Sequence, residues 1–134
     1  MATSKKAKKP ARKRLTKLVI DRAKWGKGAI RNTDDTMCCL GFAAMACGAK
    51  PPKPKSEFMT RGFPVDMSSE QKALLPKWLV APPEEDNGFL SRIANINDRT
   101  MMFKVLSDAD QERLIIEAFA EKGVKVTFVG ERRQ

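Results

Sequence analysis

Past a polar start, the chain alternates apolar clusters with polar or proline-rich stretches. "LTKLVIDRAKWGKG", residues 15–28, is apolar at Leu15, Leu18, Val19, Ile20, Ala23 and Trp25. Its β-branched centre predicts a short strand near 16–20, running into a helical turn that ends around Gly26 or Gly28. A continuous helix over 16–25 fits the same spacing, and period alone does not separate the two. "IRNTDDT" reads as a polar loop. Thr36, or Asp35 before it, then stands at the N-cap of a helix over 37–47, with Gly48 closing it. That helix, within "TMCCLGFAAMACG", contains no charged residue. A helix apolar on every side is buried on every side, so it is expected at the centre of the domain.

Four prolines, Pro51, Pro52, Pro54 and Pro64, make residues 49–67 an extended connection, long enough to be a binding loop. Ser68 and Gln71 have capping-box spacing, and Pro76 stops the helix they open near Leu75. "KWLVAPPEEDNG" is again extended, with Trp78 and Leu79 docking onto the core. Phe89, Leu90, Ile93, Ala94 and Ile96 recur at helical spacing, so a short helix ends near Asn97–Asp98. The clearest helix spans 108–121. Ser107 caps it, Asp108 and Asp110 sit at the positive end of its dipole, and Gly123 closes it. Its apolar face is Leu114, Ile115, Ala118 and Phe119. "VKVTFV", 124–129, alternates as a strand does, and its natural partner is the Leu18–Ile20 segment. The fold class is therefore α+β: a single small domain over 15–134 with a buried central helix and a small sheet.

At 134 residues, the chain has room for one domain and one core. Charge changes the picture more than composition does. The net charge is +10, and most of it is local. Lys5, Lys6, Lys8, Lys9, Arg12, Lys13, Arg14 and Lys17 give the first 17 residues +8 with no acid, while the rest of the chain sets 18 bases against 16 acids. Residues 1–14 have no apolar cluster to bury and their charges repel, which predicts a disordered basic arm. Such an arm suits counterion release from a phosphate backbone. It equally suits an acidic protein partner. No helix-turn-helix, zinc finger or aromatic RNA platform points to sequence-specific readout. No stretch is long enough to span a membrane and no signal peptide is evident, so the expected location is the cytoplasm.

The chain contains no histidine and no tyrosine. A Ser–His–Asp or Cys–His centre therefore cannot be assembled within it, nor a histidine-containing zinc site. Cys38 and Cys39 would lie in the first turn of their helix, where the dipole lowers a thiol pKa. Free cysteines also pack as small hydrophobes, and the apolar helix around these favours packing. Cys47 would sit about 12 Å further along the helix axis, too far for the three thiols to meet on one metal. No metal and no cofactor is expected. Asn95, Asn97, Asp98 and Arg99 form a second cluster. They are expected to cap their helix and turn the chain, with substrate positioning as the other reading. The acids of 82–86 and 108–112 read as solvated.

"LVIDRAKWGKG", "MCCLGFAAMACG", "PKWL", "IANIND" and "AFAEKGVKVTFV", in that order, resemble a family of small uncharacterised proteins of tailed phages and bacteria. The resemblance covers roughly residues 15–130, and its specific parts are the Trp-x-x-Gly, Cys-Cys-Leu-Gly-Phe and Asn-Asp blocks. It implies a phage or bacterial origin and places the cysteine pair, Trp25 and Asn97–Asp98 in one constellation. It supplies no catalytic residue. The expected function is that of a non-enzymatic phage-type accessory protein in a bacterial host cell, binding nucleic acid through the arm or binding a host protein. The competing class is a small cysteine-dependent enzyme or ligand-binding protein that uses Cys38 or Cys39 with Asn97 and Asp98.

Overall fold

Leu18 and Ile20 alternate with exposed Lys17 and Val19, and burying one face of that alternation is what makes residues 17–21 a strand. A computed structural model describes residues 14–26, 36–50 and 63–132 of the chain. In it β1 spans Lys17–Asp21 and continues into a 3₁₀ turn over Arg22–Lys24. α1 is Cys39–Ala46, α2 is Ser69–Lys72, α3 is Glu85–Asp98, α4 is Asp108–Ala120, and β2 is Lys125–Val129. Further 3₁₀ turns at Pro64–Asp66 and Lys77–Leu79 replace parts of the extended segments expected there. Residues 51–62 of the proline-rich connection, and the loop over 27–35, lie outside the described residues.

β1 and β2 pair in parallel, with Leu18 opposite Val126 and Ile20 opposite Phe128. A parallel pair needs a crossover, and here the four described α-helices lie along it. This is an α+β domain. α1 is largely buried, with Cys39, Leu40, Gly41, Ala43 and Ala44 inside, Phe42 half-buried and the last turn, at Met45 and Ala46, exposed. Gly48 follows it at φ 90°, a left-handed turn that glycine enters without a Cβ clash. α3 begins irregularly: Asp86, Asn87 and Gly88 are all left-handed, and regular helix runs from Phe89. α4 lays Ile115, Ala118 and Phe119 on the core. Trp78 closes that side, its ring edge-on to Phe89 at 6.0 Å and to Phe119 at 6.1 Å.

Two local expectations are corrected. The N-cap of α1 is Cys38, not Thr36, and Cys38 makes no side-chain cap; Asp35 lies outside the described residues. The acids of α4 are also not all solvated. Glu112 is half-buried and takes both prongs of the Arg22 guanidinium at 2.8 Å, from the other end of the chain. Asp86, although ion-paired with Lys122, stays exposed, as a solvated loop charge does.

Candidate functional site

The first N–H groups of a helix have no partner within it, and in an apolar helix no neighbouring side chain supplies one. α1 solves this at a distance. The side chain of Asn97, at the end of α3, accepts the Cys39 backbone N–H at 2.9 Å. The same oxygen accepts the indole N–H of Trp25 at 2.6 Å. The Asn97 amide nitrogen donates to the Gly26 carbonyl at 3.1 Å and to Asp98 at 2.9 Å. Asn97 is only 2% exposed, so each bond is made largely away from water. The expectation that it caps its own helix is thus corrected. α3 ends instead at Arg99, which turns left-handed at φ 54°.

Trp25 is brought to this point by the chain reversal after β1. Its neighbours are fixed by an isolated parallel bridge, in which Met37 N–H donates to the Lys24 carbonyl and Gly26 N–H to the Met37 carbonyl, both at 2.9 Å. The Trp25 ring lies against Phe128 of β2, centroids 4.8 Å apart, and under the Arg132 guanidinium at 4.7 Å. Together with Arg22, Gly26, Asn97, Arg99 and Gln111, Trp25 and Arg132 line a cleft of about 260 Å³.

Gln111 binds this cleft to the ends of α3. Its amide donates to the carbonyls of Ile96 at 3.1 Å and Asn97 at 2.7 Å, while its oxygen accepts from Arg99 at 2.8 Å and Arg132 at 3.2 Å. Sequence reasoning missed Gln111, although the signal was present. It stands four residues before Ile115, on the apolar stripe of α4, where a polar residue is buried only with partners. The three guanidiniums of the cleft are themselves held by carboxylates: Arg22 and Arg132 on Glu112, and Arg99 and Arg132 on Asp108. The Arg22 hydrogen bond pulls the Glu112 carboxyl below its ordinary value, and the Arg99 hydrogen bond does the same for Asp108. This is a cross-linked network that ties both chain ends of the described domain together.

The structure brings Trp25, Cys39, Asn97 and Asp98 into contact range of one another, and Cys38 flanks them. The chemistry of the thiols is another matter. Cys38 is 4% exposed and Cys39 is fully buried. Burial pushes the Cys38 thiol up from 9.0 to about 11 and raises Cys39 well above the ordinary range, with the nearby Asp98 charge adding to both. Desolvation outweighs the backbone N–H groups at the start of α1, and nothing in the arrangement prepares either thiol for attack. Among the described residues, no group of three or more cysteines and carboxylates is placed to hold a metal. No helix among them is long and apolar enough to cross a membrane.

No family model, curated protein or solved structure matches this chain. Function is therefore argued from its own geometry. Of the basic residues singled out from the sequence, Lys5, Lys6, Lys8, Lys9, Arg12 and Lys13 lie outside the described residues. Arg14 and Lys17 are described and exposed. Lys17 stands opposite Lys125 in the sheet register, and both point to solvent beside Val19 and Thr127 on the uncovered face. Among the described residues, Arg14, Lys17 and Lys125 make no ion pair.

Proposed function

We propose that this is a non-enzymatic nucleic-acid-binding protein of phage type, gripping phosphates with the lysines and arginines of residues 5–17 and with Lys125. The observation that carries this reading is how the cations divide. Arg22, Arg92, Arg99, Arg113 and Arg132 are each committed to carboxylates within the domain. Arg14, Lys17 and Lys125 are not, and Lys17 and Lys125 stand opposite each other at the start of the sheet. Lys24, Lys50, Lys77 and Lys104 also make no ion pair among the described residues, but they are scattered along the chain, whereas Lys125 lies in register with the end of the basic run 5–17. Cations free of internal partners are the ones that release counterions from a phosphate backbone. Contacts of this kind position a protein without reading bases, so binding is indifferent to sequence.

Fluorescence anisotropy on labelled duplexes of two unrelated sequences tests the reading. The full chain binds both with the same affinity, and replacing Lys17→Gln and Lys125→Gln together weakens both roughly tenfold while leaving the melting temperature in place. Absence of binding at low salt, or a strong preference for one duplex, contradicts it.

A further inference from the structure

Past β2 the chain turns back on the molecule. Gly130 stands at φ 77°, in the left-handed region that favours glycine, and an added Cβ there would meet the Asp21 carboxylate at 2.9 Å. The turn carries Arg132 over the face of Trp25, its guanidinium carbon 4.7 Å from the ring centroid. Oxygens surround the rest of the group. Nη2 of Arg132 donates to the Glu112 carboxylate at 3.1 Å, the Gln111 side chain at 3.2 Å and the Asp108 carbonyl at 3.4 Å, and Nε faces the Asp108 carboxylate at 3.4 Å. A flat cation thus lies between an aromatic face and a set of acceptors, two of them anionic.

The walls of this cage do not depend on their occupant. Trp25 is fixed by its indole bond to Asn97 at 2.6 Å and by its ring against Phe128. Gln111 is 3% exposed and is oriented by its bonds to the carbonyls of Ile96 and Asn97, at 3.1 and 2.7 Å. Glu112 is gripped by both prongs of Arg22, and Asp108 by Arg99. Each wall has its own anchor, so the cage stays formed when Arg132 is taken away.

Arg132 is the loosest part. Its Nη2 spreads two hydrogens over three acceptors, none nearer than 3.1 Å, whereas Arg22 meets Glu112 twice at 2.8 Å. Among the described residues Nη1 of Arg132 has no partner, and the backbone N–H groups of Glu131 and Arg132 make no hydrogen bond. Beyond the Gly130 carbonyl, which Arg22 holds at 2.8 Å, the segment is therefore kept in place by one side chain. A cleft of about 260 Å³ opens beside that side chain.

We infer that Trp25, Asp108, Gln111 and Glu112 form a guanidinium-binding site, in which Arg132 is a tethered and exchangeable occupant. The site takes the arginine side chain of a partner protein once the segment after Gly130 swings out. Charge alone does not select this ligand. The two carboxylates are already shared with Arg22 and Arg99, so a third cation gains mainly from the Trp25 face and the neighbouring neutral oxygens. A planar guanidinium uses both, and a compact, strongly hydrated ammonium does not. A second copy of a chain of net charge +10 is a poor source of the arginine, because the two would repel. The site is independent of the proposed phosphate grip: it is built on carboxylates and receives a cation.

The test uses the full chain carrying Arg132→Ala, titrated with the capped peptide Gly-Arg-Gly and followed by the two tryptophan indole N–H signals in NMR. The expected result is a saturable shift of the Trp25 signal with the Trp78 signal unmoved. The Gly-Lys-Gly peptide, of equal charge, should bind at least about tenfold more weakly. The parent chain should titrate as well, at concentrations at least about tenfold higher, because the peptide must displace the tethered Arg132. Arg132→Lys keeps the charge but loses the planar fork, and the same titration on it serves where the alanine variant fails to fold. A Trp25 signal that does not saturate, or an equal response to the lysine peptide, overturns the inference. So does a parent that titrates as readily as the variant, or not at all. Self-association of the parent in sedimentation, abolished by Arg132→Ala, would overturn the assignment to a partner protein by seating a second copy's arginine in the site.

Discussion

The side chain of Asn97 caps the backbone N–H of Cys39 at 2.9 Å, so the end of α3 supplies the missing partner at the start of α1. One buried amide thereby holds the central helix, the Trp25 turn and the α3 terminus in register. Replacing Asn97→Ala leaves the Cys39 N–H and the Trp25 indole N–H without their acceptor in a site that excludes water. The expected loss is about 2–4 kcal/mol in urea denaturation, with a shift in Trp25 fluorescence. A variant as stable as the parent would mean that the amide does not bear on the fold.

The cysteine pair behaves as core. Cys38 and Cys39 are expected to resist thiol reagents in the native protein and to react once it unfolds. Labelling of either at the rate of a free peptide thiol, under native conditions, would restore the case for thiolate chemistry.

Burial of Cys38 also sets an alkaline limit. Its pKa is raised from 9.0 to about 11, so the native state holds its proton at pH values where the unfolded chain has lost it. The stabilisation is complete below pH 9 and is lost as pH rises through the window from 9 to 11, on the order of 2–3 kcal/mol for two pKa units. Denaturation midpoints at pH 8 and 10.5 measure it, and Cys38→Ala is expected to flatten the decline. Equal slopes in parent and variant would contradict the assignment.

The acid side is governed by Glu112, whose carboxyl is lowered by Arg22. A depressed folded pKa contributes stability above the unfolded value near 4.5 that is lost as pH falls through the folded value. Glu112→Gln is expected to cost about 1–2 kcal/mol at pH 7 and to lessen the loss of stability in acid. An unaltered acid limb would show that the Arg22–Glu112 pair is not coupled to folding.

Elements whose signal lies within a few residues were legible in advance. α4 follows the period of Leu114, Ile115, Ala118 and Phe119, β2 follows its alternation, and α1 is buried because it carries no charge. The Ser68 and Ser107 caps are local, and the structure contains both. What crosses the chain was not legible. The cap of α1 comes from a residue 58 positions away and the partner of Glu112 from 90 positions away. Local capping rules pointed instead to Thr36 or Asp35. The parallel sense of the sheet depends on how the long crossover between its strands, which carries the four described α-helices, folds back onto them, which no window of sequence contains. The constellation of Trp25, Cys39 and Asn97 followed from a resemblance between sequence blocks, but its role as a buried cap emerges only from the geometry.

The central claim is that the basic run 5–17 and Lys125 grip phosphate, and the salt dependence of duplex binding tests it most directly. With about 5–7 phosphates engaged, the full chain is expected to give a log–log slope of roughly −4 to −6 against salt concentration. Changing Lys5, Lys6, Lys8, Lys9, Arg12 and Lys13 to Gln leaves Arg14, Lys17 and Lys125. With at most three contacts left, the slope should then fall to about −3 or less in magnitude, with an unchanged melting temperature. A variant that binds as tightly and with the same slope as the full chain would contradict the account.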